Sequence, residues 1–138
     1  MTAIMCGITT TKLNQEEIEL LRHPLVCGVI LFKRNYHDYF QLKRLVDEIK
    51  SHFGSDFLIA VDQEGGRVKR FSEPFSQLPA LAETGKVFLS NPDLAKSYAH
   101  VHAWLMSSEL LSIDIDLSFA PVLDIDNGSN VIGDRAFS

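Results

Sequence analysis

Five polar side chains between positions 62 and 70 could do chemistry: Asp62, Glu64, Arg67, Lys69 and Arg70. They follow the uninterrupted apolar run FLIAV at positions 57–61 and enclose the pair Gly65-Gly66. Asp62 and Glu64 could hydrogen-bond a polyhydroxylated ligand, exchange protons with it, or cap the following turn. A guanidinium nearby could grip hydroxyls or a carboxylate in bidentate fashion. On position alone, Arg67 and Lys69 read as a solvated face. Further along stand Asp124, Asp126 and the adjacent pair Asp134-Arg135. The first two read as caps on a strand-to-loop turn and the pair as surface charge.

Several chemistries are disfavoured. The carboxylates around Gln63 lack third and fourth oxygen ligands at a spacing that suits Mg²⁺ or Ca²⁺. In the stretch DIDNG, Gly128 falls at the fifth place, where a calcium loop needs it sixth. The histidines at 23, 37, 52, 100 and 102 form no zinc-type spacing, and no Ser sits in a G-x-S-x-G elbow. No metal is therefore expected.

Positioning falls to the elements around this stretch. A short continuous apolar run is the signature of a strand buried on both faces. Polar and flexible residues directly after it put the chemistry at the strand's C-terminal end, where parallel α/β folds bind ligands. Similar runs occur at 3–8, 26–32 and 115–122. Between them, Asn14 with Glu17 makes a capping-box pair for a helix with Ile18 and Leu21 on its apolar stripe. Asp38 opens a longer helix whose Leu42, Leu45, Val46, Ile49 and Phe53 share one face, closed by Gly54. Asn91-Pro92 opens a third, with Leu94, Tyr98, Val101 and Leu105 as its expected buried stripe. Residues 71–86, carrying Pro74 and Pro79, read as a long polar loop, a length that is often functional. The order β-α-β-α-β-α-β implies parallel strands and right-handed crossovers. It fits a doubly wound sheet or part of a (β/α)8 barrel; the absence of GxGxxG gives a dinucleotide fold little support.

With 138 residues and 46% hydrophobic composition, the chain can form one domain with a core. A net charge of −5, with no dense basic run, argues against nucleic acid or an anionic membrane as the main partner. No apolar stretch approaches a membrane span, and the N-terminus lacks signal-peptide features. Cys6 and Cys27 read as reduced core thiols, which together with these features suggests a cytoplasmic protein.

The stretches GVILF (28–32), VDQEGGRVKRF (61–71), LPA (78–80), LSFAPVLDID (117–126) and VIGDRAFS (131–138) closely resemble family 3 glycoside hydrolases. More closely, they resemble the NagZ-type bacterial β-N-acetylglucosaminidases of peptidoglycan recycling. That resemblance implies a cytoplasmic single-domain (β/α)8 barrel. The family releases terminal N-acetylglucosamine from muropeptides with retention of configuration and without a cofactor. It also implies that Asp62, Arg70 and Arg135 bind the sugar, a role that a strand-end carboxylate and two guanidiniums suit physically.

The family's KHFPGHG-like motif, its acid/base His and its nucleophilic Asp have no counterpart in these residues, so no catalytic residue is expected here. A retaining glycosidase needs both groups. A full barrel takes ~250 residues, so residues 1–138 are expected to form about four β/α units, the N-terminal half of such a domain. Two expectations follow: negligible hydrolysis by this chain alone, and self-association through open barrel edges. The alternative is a non-catalytic sugar-binding or assembly protein built on the same half.

Overall fold

The computed structural model describes residues 3–124 and 126–137. Ile125 and Ser138, each inside a stretch quoted above, lie outside the described residues. Four strands, β1 (Ile4–Gly7), β2 (Val26–Leu31), β3 (Leu58–Val61) and β4 (Leu117–Ser118), form one sheet in the order β1-β2-β3-β4. Every neighbouring pair is parallel. Strand order that follows chain order has no reversal, so there is no switch point of the doubly wound kind. The sheet winds one way, as in the N-terminal half of an eight-stranded β/α barrel. Four helices accompany it: α1 (Gln15–Leu21), α2 (Tyr39–Phe53), α3 (Leu81–Ser90) and α4 (Pro92–Leu111).

The early elements form where short-range chemistry dictates. Asn14 and Glu17 complete the capping box of α1, each side chain bonding the other's backbone N–H. Asp38 caps α2 by accepting the Gln41 N–H at 2.8 Å, and Gly54 ends it at φ 88. Leu42, Leu45, Val46 and Ile49 of α2 are buried against the sheet. Each contributes about 1.5–3 kcal/mol relative to an exposed side chain.

The sheet has a dry face and an open one. Cys6, Val29 and Ile59 are register neighbours that pack into the helix-facing core. Met5, Gly28 and Leu58 form the adjacent row on the other face, where Leu58 is 40% exposed. The expectation that β3 is buried on both faces therefore fails at Leu58, because only one side of the sheet carries helices.

Three later expectations also need correction. The supposed loop ends at Ala80, and residues 81–90 are helical. Gly85 hides this helix in the sequence; it is there because Phe137 passes so close that a Cβ would lie 1.2 Å from its carbonyl oxygen. The element order is accordingly β-α-β-α-β-α-α-β, and the fourth strand shrinks from 115–122 to two residues. Finally, α4 is rotated by about one residue, or ~100°, from the expected face. Ala95, His102, Met106 and Leu110 point inward, while Leu94, Tyr98 and Val101 are exposed and Leu105 is half-buried. This helix is apolar nearly all round, so periodicity could not select a face. The observed face buries Ala95, Met106 and Leu110 and carries the bond from His102 to the Glu64 carbonyl, described below. Cys6 and Cys27 are free and half-buried.

Candidate sugar-binding site

The site grows from the tip of β3. After Val61 the chain leaves the sheet at Asp62, and Gln63 then turns inward and is buried. Its Oε1 accepts the backbone N–H groups of Arg70 (2.8 Å) and Phe71 (3.2 Å). One side chain thus closes the loop from 63 to 71 upon itself. Gly65 and Gly66 make the turn at φ 111 and 55, where a side chain would be strained. At Gly65 a Cβ would also meet the Pro79 carbonyl oxygen at 2.3 Å. Beyond the turn, Phe71 is fully buried, its ring 5.2 Å from both Tyr36 and Phe75.

This closure brings Arg70 back over Asp62, with Nη2 3.1 Å from Oδ2. Both side chains are about one-quarter exposed, at 25% and 26%. The guanidinium carbon of Arg70 lies 6.0 Å from the Phe32 ring centroid, and that of Arg34 lies 4.5 Å from it. Arg70 Nε is buried and has no acceptor among the described residues. Such an orphan donor costs about 1–3 kcal/mol unless a partner is supplied.

Arg135 arrives from far along the chain, in the three-residue 3₁₀ turn Gly133–Arg135. Its Nε and Nη2 donate to the two carboxylate oxygens of Glu64, at 3.0 and 2.7 Å. Hydrogen bonding to Glu64 raises the Arg135 pKa above its usual value; partial burial opposes this, and the charges of Asp62 and Asp134 add to it. Asp62 pairs with Arg70 and stands two residues from Glu64, the partner of Arg135, so the three side chains gather around the tip of β3. The arrangement offers a carboxylate acceptor beside planar donors, which suits the vicinal hydroxyls of a sugar ring.

Arg67 and Asp134 are exposed, as expected of surface charge, but they are bonded to each other, and Arg135, only 25% exposed, departs from that expectation. Arg67 Nε donates to Asp134 at 2.8 Å, and its Nη2 donates to the carbonyls of Val131 and Ile132 at 2.7 and 3.0 Å. Glu64 is not a turn cap: it is 3% exposed and forms the fork with Arg135. Lys69 is exposed as expected, beside Gln77. Asp126 does cap a turn, accepting the Gly128 N–H at 2.9 Å. Sequence reasoning missed His102, whose Nε2–H donates to the Glu64 carbonyl at 2.8 Å. It also gave no role to Asn35, which is buried and donates to the carbonyls of Ile8 and Thr10, just past the end of β1. The signal for His102 was a polar residue among the apolar ones of α4, whereas Asn35 stands in the polar run KRNYHD and gave none. Among the described residues no group of three His, Cys, Asp or Glu side chains could hold a metal ion, and no helix is long and apolar enough to cross a membrane.

The fold and rim define a parallel β/α unit that presents paired acids and guanidiniums at its strand tips. Residues 2–138 match the model of the glycosyl hydrolase family 3 N-terminal domain, and the chain belongs to that family. Its homology within the family is to β-hexosaminidases of the NagZ type. It is 52% identical over 138 residues to the β-hexosaminidase of Tolumonas auensis, covering 100% of this chain and 40% of that protein. Native NagZ from Neisseria gonorrhoeae superposes with a TM-score of 0.93 at 41% identity, over 99% of this chain and 41% of that one. The same enzyme in complex with N-trifluoroacetyl-D-glucosamine gives 0.92 at 41% identity, over 99% and 40%. The chain thus spans about 40% of the length of the curated relatives it matches.

Proposed function

We propose that this chain supplies the sugar-binding part of a β-N-acetylhexosaminidase site that acts on terminal N-acetylglucosamine of muropeptides. In this reading Asp62 accepts hydroxyls of the sugar, and Arg70 and Arg135 donate to it. The observation that carries the reading is the convergence of the Asp62–Arg70 pair with Arg135 at one rim, with a buried Arg70 N–H still unmatched. Support comes from NagZ of N. gonorrhoeae, a homologue whose complex holds a glucosamine derivative.

The chain by itself binds sugar and does not hydrolyse glycosides. Retaining hydrolysis needs a nucleophile and an acid/base on opposite duties. Asp62 is assigned to the sugar hydroxyls, and Glu64 is buried and forked to Arg135, so neither is assigned the nucleophile's or the acid/base's duty. Residues 1–138 then act as part of a larger cytoplasmic barrel. Its remaining strands would cover the open sheet face and its remaining helices the exposed stripe of α4; without them, copies of the chain associate through those surfaces.

The test is a titration of the purified chain with N-acetylglucosamine, with glucose as control, followed by NMR and paired with a chromogenic N-acetylglucosaminide assay. Saturable shifts at the signals of residues 62, 70 and 135, with no turnover, are the expected result. Turnover by the chain alone, or no preference for the acetylated sugar, defeats the proposal.

A further inference from the structure

We infer that Glu64 is a positioning residue for the sugar site and acts through Arg135. The inference rests on the assignment of Arg135 to that site. Residues 126–131, which lead to Arg135, are all exposed, and although the backbone there is anchored by Arg67 and by buried Ala136, neither contact holds the Arg135 side chain. An arginine side chain there would sample many rotamers, and ordering it on binding would cost about 0.5–1.5 kcal/mol. The fork to Glu64 removes that freedom beforehand. It engages Nε and Nη2, one edge of the guanidinium, and so fixes the plane while leaving Nη1 outside the pair.

Glu64 is itself held at both sides of its backbone. Its N–H donates to the Val68 carbonyl at 2.9 Å, and its carbonyl accepts from His102 Nε2 at 2.8 Å. Helix α4 thereby steadies a carboxylate that orients a guanidinium 71 residues further along the chain. Arg67 holds the same loop differently, through Asp134 and two backbone carbonyls, at an exposed position. The charges cross: acid 64 and base 67 from one loop meet base 135 and acid 134 from the other. Glu64 touches the guanidinium assigned to the sugar; Arg67 touches only the frame around it. The two roles are therefore separable.

The experiment uses the ¹⁵N-labelled chain, following arginine Nε–H signals and backbone amides during titration with N-acetylglucosamine. The Arg135 Nε–H signal is identified by its loss in Arg135→Ala. Glu64→Gln is expected to speed exchange of that proton and to weaken sugar binding, each by about tenfold, the equivalent of one charged hydrogen bond. The double variant Glu64→Gln/Arg135→Ala should bind no more weakly than Arg135→Ala alone, because Glu64 acts through Arg135. Glu64→Asp, which keeps the charge, should recover part of both effects, and it serves as the second variant if Glu64→Gln loses its dispersed amide spectrum. Arg67→Ala should disturb amides of residues 131–134 yet leave the Arg135 Nε–H protected. Sugar affinity unchanged in Glu64→Gln, or further weakening in the double variant, overturns the inference. If the unsubstituted chain binds no sugar, the site assignment fails and this inference falls with it. Equal binding by the unsubstituted chain and Glu64→Gln defeats the inference alone.

Discussion

The strand-tip rim and the α4–β4 flank are built on opposite plans. At the rim, polar groups from positions 62–70 and 131–135 are bonded to one another in crossed pairs, and Gln63 and Phe71 lock the loop from beneath. On the flank, Trp104 and Leu111 are each 61% exposed, beside a groove of about 420 Å³ that runs to Leu117 and Ala120. The contrast teaches that the acids and bases of the rim find most of their partners within these residues, Arg70 Nε excepted, whereas the apolar side chains of the flank stay exposed.

The comparison breaks most readily at Phe71. Phe71→Ala should lower stability by about 3–5 kcal/mol, read as a reduced urea midpoint, because it empties the centre of the aromatic cluster beneath the rim. Next comes Gln63→Ala, which leaves the Arg70 and Phe71 N–H groups unmatched. A loss of roughly 2–3 kcal/mol is expected, together with weaker N-acetylglucosamine binding in the NMR titration. A stability change near zero at either position would mean that the rim is looser than its geometry indicates.

Substitution on the flank should do the reverse. Trp104→Glu with Leu111→Glu should shift stability by only about 0.5 kcal/mol per site while reducing self-association in light scattering. Unaltered scattering would remove the flank from the association surface. The smallest effect expected is at Glu17. Partial burial pushes its pKa up, but hydrogen bonds from Thr9 and Asn14 together outweigh this and lower it from 4.5. A lowered folded value gives stability that is present above the unfolded value and lost as pH falls through the folded one. Glu17→Gln should therefore flatten the acid limb of the stability profile below pH about 4.5 and leave neutral-pH ligand binding unchanged.

Much of the fold could be read from local pattern. The apolar runs of β1 to β3, the capping box at Asn14, the cap at Asp38 and the stripe of α2 all depend on neighbours within a few residues. The matched motifs also singled out Asp62, Arg70 and Arg135, and the structure brings them to one rim. What failed were readings that depend on distant partners. Helix α3 was hidden because Gly85 answers to Phe137, more than fifty residues away. The face of α4 was misjudged because its apolar residues go nearly all round, and the face that packs inward, with Ala95, His102, Met106 and Leu110, is set by partners elsewhere in the chain.

By itself, then, the sequence determined the parallel β/α order, the early helices and the identity of the charged groups, since periodicity and capping act over one or two turns of chain. Only the tertiary structure decided which acid meets which base. The Glu64–Arg135 fork and the Arg67–Asp134 bond join residues 71 and 67 positions apart. Pairing over such distances follows from where the sheet delivers each strand tip, and no local rule encodes that.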